Sequence, residues 1–197
     1  MDYALMELQH VNVKLLVQTP EEVDLEPLIP IFHGWIQGQD SDELLLDVAD
    51  YRHVPEGPGV VLIGHQANYS VENTDSRLGV RYNRKAALEG SNQDRLKQAT
   101  RAALAAAKRL ESEPGLNGKL RFNGQELELF FNDRLLAPNL DATRKAIEPE
   151  LRAFLQKLFS GSEYSLRYNS DPRRLFSVSI TASQAFSVSD LLKNLPS

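Results

Sequence analysis

The stretch that decides the fold is "GVVLIGHQANYSVENTDSRLGVRYNRK", which runs from Gly59 to Lys85. Its first part, Val60–Ile63, is continuously apolar, as expected for a strand that is covered on both faces. Polar and apolar side chains then alternate, which is typical of strands with one buried face. The segment "ENTDS" at 72–76 is rich in turn-forming residues. We therefore predict two antiparallel arms that reverse direction at Thr74-Asp75.

Pairing about this turn separates apolar from polar side chains. Tyr69 is expected opposite Val80, and the same register sets His65 opposite Arg84. The other face is expected to carry amide and guanidinium groups: Gln66, Asn68 and Ser70 opposite Asn83, Arg81 and Gly79, with Lys85 extending it. Asparagine is depleted in strands, so its density on this face requires an explanation.

Three explanations fit the amide-rich face. The simplest is that an antiparallel sheet often exposes one polar side to water. The second is a surface that binds an anion or a polar ligand, since amides and guanidinium groups supply directed hydrogen bonds. The third is an oligomer interface. Under the second explanation the ligand-binding residues are Gln66, Asn68, Arg81, Asn83 and Arg84, together with Asn132 and Arg134 from a later loop.

That loop is "NDRLLAPN", Asn132–Asn139, which directly follows a predicted strand. Loops after strands often carry binding residues. The simpler explanation is an Asx-type turn that is closed by Pro138, with Asp133 pairing with Arg134 or with an adjacent loop. Both interpretations remain open from the sequence.

The strongest hairpin signal lies in "KLRFNGQELELFF", residues 119–131. Asn123-Gly124 is the dipeptide favoured by a two-residue type I′ turn, because both turn positions need positive φ. Pairing about it would set Leu120 opposite Leu127 on an apolar face and Lys119 opposite Glu128 on a charged face. We therefore predict a hairpin here.

The remaining patterns predict further strands and three helices. Strands are expected at 11–18, 43–54, 164–168 and 174–180, the last two forming a hairpin. Helices are expected over 25–37 after an Asp24 cap, from Ser91 to Pro114 with a Ser91/Asp94 capping box, and over 141–159 with Asp141 as cap and a kink or division at Pro149.

Together these elements predict an α+β fold: a largely antiparallel sheet built of hairpins, about seven strands, with about three helices packed on one face. No linker rich in Pro, Gly or Ser divides the sequence, so residues 1–182 are expected to form a single domain. Residues 183–197 are expected to form a tail that could hold a short helix after Ser189.

The composition excludes several classes of function. The chain contains no cysteine, so disulfides, thiolate metal ligands and cysteine nucleophiles are excluded. The net charge of −5 argues against general nucleic-acid binding. The first residues, "MDYALMELQH", do not resemble a secretory signal, and no apolar run approaches the roughly 18 residues of a membrane span. A cytoplasmic protein without nucleic-acid or membrane partners is therefore expected.

His65 is the one candidate catalytic residue. It follows Gly64 at the end of an apolar run and could act as a general base, assisted by Arg84 or Asp50. A structural histidine is the simpler interpretation. Asp50 and His53 could meet another histidine at a metal, but the four histidines lack any recognised ligand spacing. Phosphate-loop and nucleophile-elbow motifs are absent, so neither a metal nor another cofactor is expected.

The segments "IGHQANYSVENTDSRLGVRYNRK", "NDRLLAPN" and "DPRRLFSV" resemble a family of uncharacterised bacterial proteins. The resemblance covers roughly residues 8–181 and leaves the last sixteen outside it. It implies a bacterial cytosolic origin. It implies no activity, cofactor, partner or catalytic residue.

Three functional hypotheses follow. The leading one is a non-enzymatic accessory or binding protein, forming a homo-oligomer, that holds a partner protein or a small polar or anionic ligand on the polar hairpin and the loop Asn132–Asn139. The first alternative is a small cofactor-independent enzyme with His65 as base. The second is a homo-oligomeric scaffold that assembles through the helix at 25–37 or the C-terminal tail.

Overall fold

The protein is described here by a computed structural model that covers residues 6–38 and 43–196. Within them the strands are β1 (Val11–Val17), β2 (Leu45–Tyr51), β3 (Gly59–Gly64), β4 (Ala67–Glu72), β5 (Gly79–Arg84), β6 (Phe122–Phe131), β7 (Tyr164–Tyr168) and β8 (Phe176–Ala182). The helices are α1 (Leu28–Gly38), α2 (Asn92–Glu111), α3 (Asp141–Leu158) and α4 (Val188–Asn194). All eight strands form one antiparallel sheet in the order β2-β3-β4-β5-β1-β6-β8-β7, so the predicted α+β fold is confirmed.

Strand β1 organises the sheet because both of its faces are buried. Val13 and Leu15 point to the side on which α2 lies across β1 and β5. The small side chains of Ala99, Ala103 and Ala107 form the buried stripe of α2 and allow close approach to the strands. Helix α1 covers β2 and β3 on this side, and α4 covers β6. We call this the helix-covered face, and the opposite side the helix-free face.

The helix signals in the sequence are largely confirmed. The Ser91/Asp94 capping box begins α2 as predicted. Helix α1 begins at Leu28 rather than Leu25, because Asp24 accepts from the Glu26 amide and so caps an earlier turn. None of the helices in the described part of the chain is long and apolar enough to cross a membrane.

Helix α3 corrects two expectations. Its first residue is Asp141, whose side chain forms no capping hydrogen bond, and Pro149 lies inside a continuous helix. The helix continues through the proline because Ile147 and Leu151, on either side of it, are both buried in the core. The C-terminal tail does form a short helix, α4, whose Leu191 is buried beside α2. The inner face of this tail helix is therefore part of the core.

The stretch from Gly59 to Lys85 forms three strands instead of two arms. The chain turns at His65-Gln66 between β3 and β4, so His65 is not paired with Arg84. Tyr69 lies opposite Tyr82, two residues from the predicted register. The cause is a wide turn, in which a 3-10 segment at Thr74–Ser76 replaces the two-residue turn. Because the displacement is even, every side chain of β4 and β5 keeps its predicted face.

The hairpin predicted at Asn123-Gly124 is wrong. Both residues lie inside the ten-residue strand β6, which pairs with β1 at Asn123 and with both β1 and β8 beyond Glu126. The dipeptide instead lies at an irregularity in the β1–β6 pairing, where Leu15 pairs with Leu127 but Leu16 pairs with Asn123. Gly124 is required there because a Cβ would lie 2.2 Å from the Phe186 carbonyl oxygen. The local turn preference is overridden by pairing with β1 at the dipeptide and with both β1 and β8 further along the strand.

A buried ion pair joins β1 to β4 on the helix-free face, across β5. Lys14 Nζ lies 2.7 Å from Glu72 Oε1, and the two side chains are 1% and 2% exposed. The Lys14 side chain passes over Gly79, where a Cβ would lie 3.0 Å from Lys14 Cε. Glu72 also accepts from the Thr74 amide at 2.6 Å, so the pair holds the turn between β4 and β5.

We expect Glu72→Leu to lower the free energy of unfolding by about 3–5 kcal/mol, because it leaves the Lys14 ammonium buried without a counterion. The double variant Lys14→Met/Glu72→Leu should recover most of that loss, since it removes both charges. Urea unfolding followed by circular dichroism measures both. Arg152→Met, which breaks an exposed pair with Glu148, is the matched control and should cost less than about 1 kcal/mol. A double variant as unstable as the single one would contradict this account of the pair.

Candidate functional site

Polar side chains form two continuous rows across the helix-free face. One row contains Ser70, Arg81, Lys14, Glu128, Ser179 and Arg167, one from each of β4, β5, β1, β6, β8 and β7. The next row contains Asn68, Asn83, Asn12, Phe130 and Ser177, from the first five of these strands. The amide and guanidinium groups expected on one side of β4 and β5 therefore do lie together. Asn12 of β1 extends the amide row.

Arg81 occupies the centre of this surface. Its side chain reaches across β1, and its Cζ atom lies 4.2 Å from the centroid of the Phe130 ring. Its Nε atom is buried, and no described residue accepts a hydrogen bond from it. Burial lowers the pKa of Arg81, while Glu72 and Glu128 act in the opposite direction. The guanidinium nevertheless remains charged, as arginine does throughout the physiological range.

Arg81 lacks a carboxylate partner because the nearby carboxylates form ion pairs with Lys14 and Arg77. Glu72 is paired with Lys14, as described above. Arg77 bridges the other two, with Nη1 at 2.8 Å from Glu128 and Nη2 against Glu126. The Arg81 guanidinium therefore lies over an aromatic ring, between the Lys14–Glu72 pair and the cluster of Arg77 with its two glutamates. Such a group retains its capacity to bind an external oxyanion.

Two concavities meet at Arg81. The amide concavity, of about 500 Å³, is lined by Asn68, Ser70, Asn83 and Asn132. The arginine concavity, of about 570 Å³, extends to the other side over β6, β8 and β7. Arg81 and Thr74 line both. Each is of the size that binds small molecules in proteins.

The arginine concavity is strongly basic in an acidic protein. Its lining contains six arginines and two carboxylates, against a net charge of −5 for the chain. Three of the six form carboxylate pairs: Arg77 as above, Arg173 with Asp171, and Arg174 with Asp75. Among the described residues, the remaining three, Arg81, Arg134 and Arg167, have no carboxylate partner. A positive field is therefore concentrated at this part of the surface.

Hydrogen bonds between loops fix the rim of the arginine concavity. Arg134 donates to the Arg173 carbonyl and Asn139 to the Asp171 carbonyl, both at 2.7 Å. Asp133 accepts from two backbone amides, so the loop Asn132–Asn139 does contain the expected Asx-type turn. On the opposite side, Arg174 binds both carboxylate oxygens of Asp75 at 3.0 and 2.6 Å. The turns that follow β4 and β7 are thereby tied together.

The structure separates the predicted ligand-binding residues into two groups. Asn68, Arg81, Asn83 and Asn132 line the amide concavity, and Arg134 lines the arginine concavity. Gln66 and Arg84 instead line a cavity of about 510 Å³ on the helix-covered face. Gln66 does not lie with the other amides because it is in the turn between β3 and β4. The Arg84 guanidinium donates to Gln66 and to the Ala86 and Ala87 carbonyls, so it stabilises the chain after β5.

His65 lies on the exposed turn between β3 and β4, where its amide donates to the Leu44 carbonyl at 2.8 Å. Its two expected assistants are engaged elsewhere, Arg84 as above and Asp50 with Arg52. Hydrogen bonds from Arg52 lower the pKa of Asp50 to about 2. Within residues 6–38 and 43–196, no three His, Asp or Glu side chains form a group that could hold a metal ion.

Sequence reasoning missed part of this surface. Asn12 and Lys14 alternate with apolar residues in "VNVKLLV", which indicates a second polar row on β1. Arg174 also belongs to this surface, and its role at the rim depends on Asp75, which is 99 positions away in the sequence. No local pattern could have shown that contact.

Comparisons with protein-family models, with curated proteins and with solved structures found no match. The functional interpretation therefore depends on the geometry of the helix-free face. That geometry combines a stacked cation without a carboxylate partner, adjacent amides and two concavities. It is an arrangement that can accept an oxyanion and hydrogen-bond the groups attached to it.

We expect Arg174→Gln to loosen both turns of the rim while changing overall stability little, since an exposed pair contributes less than about 1 kcal/mol. Amide hydrogen exchange at residues 73–77 and 171–175 should accelerate by up to about fivefold, and Arg173→Gln is the matched control. The Arg174 hydrogen bond lowers the pKa of Asp75. The difference in protection between wild type and variant should therefore persist near neutral pH and decrease as the pH falls through that lowered pKa. Equal acceleration in both variants would contradict the proposed link.

Proposed function

We propose that this protein is a non-enzymatic binding protein that holds a small anionic ligand on the helix-free face, with Arg81 as the main contact. The supporting observation is the Arg81 guanidinium, whose Cζ lies over the Phe130 ring at 4.2 Å from its centroid and whose buried Nε has no hydrogen-bond acceptor among the described residues. A partly buried charge without an acceptor is unfavourable. A bound phosphate or carboxylate would supply the missing acceptor.

The stacking geometry favours an oxyanion over other ligands. The guanidinium lies over the Phe130 ring, a contact that uses none of its N–H groups in a conventional hydrogen bond and leaves them available to a ligand. Two parallel N–H groups match the spacing of two oxygens of a phosphate or carboxylate. The aromatic ring also holds the arginine in place before binding, which reduces the entropy lost when the ligand arrives.

The neighbouring amides suggest what else the ligand carries. Buried amide atoms of Asn12, Asn68 and Asn83 have no hydrogen-bond partner among the described residues. Hydroxyl groups can both donate and accept, so they satisfy an amide in either orientation. A small anion that also bears hydroxyl groups, such as a phosphorylated polyol or a hydroxy acid, fits both Arg81 and the amide row.

The surrounding charge supports the same class of ligand. The basic arginine concavity lies next to the amide concavity, so an anion is attracted to a surface that the chain's overall negative charge would otherwise repel. The proposal also places the protein in the cytoplasm, where a chain without cysteine is unaffected by the reducing environment.

Isothermal titration with glycerol 3-phosphate, inorganic phosphate and uncharged glycerol tests the proposal. We expect wild type to bind the two phosphates but not glycerol. Arg81→Gln should weaken phosphate binding by about 10- to 100-fold, the loss expected for a charge-assisted hydrogen bond of roughly 1.5–3 kcal/mol. Arg152→Gln, on the exposed side of α3, is the matched control and should bind as wild type does.

A second variant separates the two parts of the site. Asn83→Ala should weaken glycerol 3-phosphate by several-fold and leave inorganic phosphate unchanged, because only the former presents hydroxyls to the amide row. Wild type that binds neither phosphate, or phosphate binding that survives Arg81→Gln unchanged, would refute the proposal.

A further inference from the structure

The two edges of the sheet, β2 and β7, have unpaired backbone groups along their outer sides, because no described strand lies beyond either. Such edges are templates for pairing with another chain, and proteins commonly protect them with lysine or proline. Strand β2, "LLDVADY", contains neither. The residues before and within it include two exposed leucines, Leu44 at 63% and Leu46 at 52%. Exposed leucines on an unpaired strand are costly unless a partner covers them.

The β7 edge has complementary features. Arg167 is exposed on the helix-free face and forms no ion pair with a described residue. The loop Asn132–Asn139, held to the turn after β7 by Asn139 and Arg134, exposes Leu135 at 90%. Leu140, just beyond this loop, is 55% exposed. One edge of the sheet is therefore acidic and leucine-rich, and the other is basic with leucines beside it.

The direction of the strands allows these edges to meet. Every pairing in the eight-stranded sheet is antiparallel, so the first and last strands, β2 and β7, run in opposite directions. A second copy placed alongside in the same orientation therefore brings its β2 antiparallel to β7 of the first. The sheet would continue from copy to copy without any change in its pattern.

We propose that copies of this chain associate head to tail, with β2 of one copy pairing with β7 of the next. The register that matches the faces is Arg167 opposite Asp47, Leu166 opposite Val48 and Ser165 opposite Ala49. Arg167 and Asp47 then form a cross-strand pair of opposite charge on the helix-free face. Leu166 and Val48 meet on the helix-covered face.

The same register places the leucines of the two edges at one end. Because the strands are antiparallel, the beginning of β2 comes beside the end of β7. Leu44 and Leu46 of one copy are thereby brought towards Leu135 and Leu140 of the next. The apolar surface exposed at both edges is buried in one interface.

Charge favours this arrangement over a two-fold pairing of β2 with itself. A β2–β2 pair would leave Asp47 of each copy without a basic partner, because Asp50 is already paired with Arg52 and β2 contains no basic residue. A head-to-tail contact is heterologous, so it leaves one edge free at each end of a chain of copies. Assembly therefore produces a ring or an open filament rather than a closed dimer.

Sedimentation velocity over a concentration series tests the interface by charge exchange. We expect wild type to associate, and Asp47→Arg and Arg167→Asp each to weaken association at least tenfold, because each sets like charges opposite one another. An equimolar mixture of the two variants should associate as wild type does, since every β2–β7 contact between them again joins opposite charges. Arg152→Asp is the matched control for charge reversal and should not affect assembly.

Leu46→Lys provides a second test that does not alter the ion pair, and circular dichroism confirms that each variant is folded. A wild type that stays monomeric up to about 1 mM, or a mixture that fails to associate, would overturn the proposal. An Arg167→Asp variant that assembles normally would also overturn it and would favour β2–β2 pairing. The Asp47→Arg variant should still bind phosphate through Arg81, so failure of this interface is distinguishable from failure of the anion site.

Discussion

The buried ion pair between Lys14 and Glu72 is the interaction on which the helix-free face depends. It connects the central strand to a strand that is not its neighbour, and it does so over a glycine, Gly79, that leaves room for the lysine side chain. By holding Glu72, Lys14 removes one carboxylate from reach of Arg81, and Arg77 removes two others. The candidate site is thus a consequence of how the surrounding charges are paired.

This pairing gives the helix-free face buried charges as well as exposed polar groups. A polar face that is only solvated has no need of a lysine that is 1% exposed or of amides with buried, unpartnered atoms. Burying such groups without partners costs free energy, and a ligand that completes their hydrogen bonds would offset that cost. The β2–β7 interface that we infer would lie at the two ends of the same sheet, away from Arg81. Arg167 belongs both to this interface and to the arginine concavity, whereas Asp47 lines neither concavity, so Asp47→Arg alters assembly without altering the anion site.

The sequence predicts those parts of the structure that local chemistry controls. The capping box of α2, its alanine stripe and the β7–β8 hairpin follow from spacing alone. The polar face of β4 and β5 is correct although the predicted register is not. The observed pairing differs by two residues, and side chains along a strand alternate with a period of two. The Asn123-Gly124 hairpin failed because its signal was local, whereas the available pairing with β1 and β8 was not. The state of Arg81 was beyond prediction for the same reason, since it depends on carboxylates from β4 and β6.

The most direct test of the central claim is a crystal structure of the protein soaked with arsenate, an anomalously scattering analogue of phosphate. The account predicts an anomalous peak within hydrogen-bond distance of the Arg81 guanidinium, beside Phe130, with the Lys14–Glu72 pair intact beneath it. A well-diffracting crystal with no peak there, or with peaks only at the arginines that already have carboxylate partners, would contradict it.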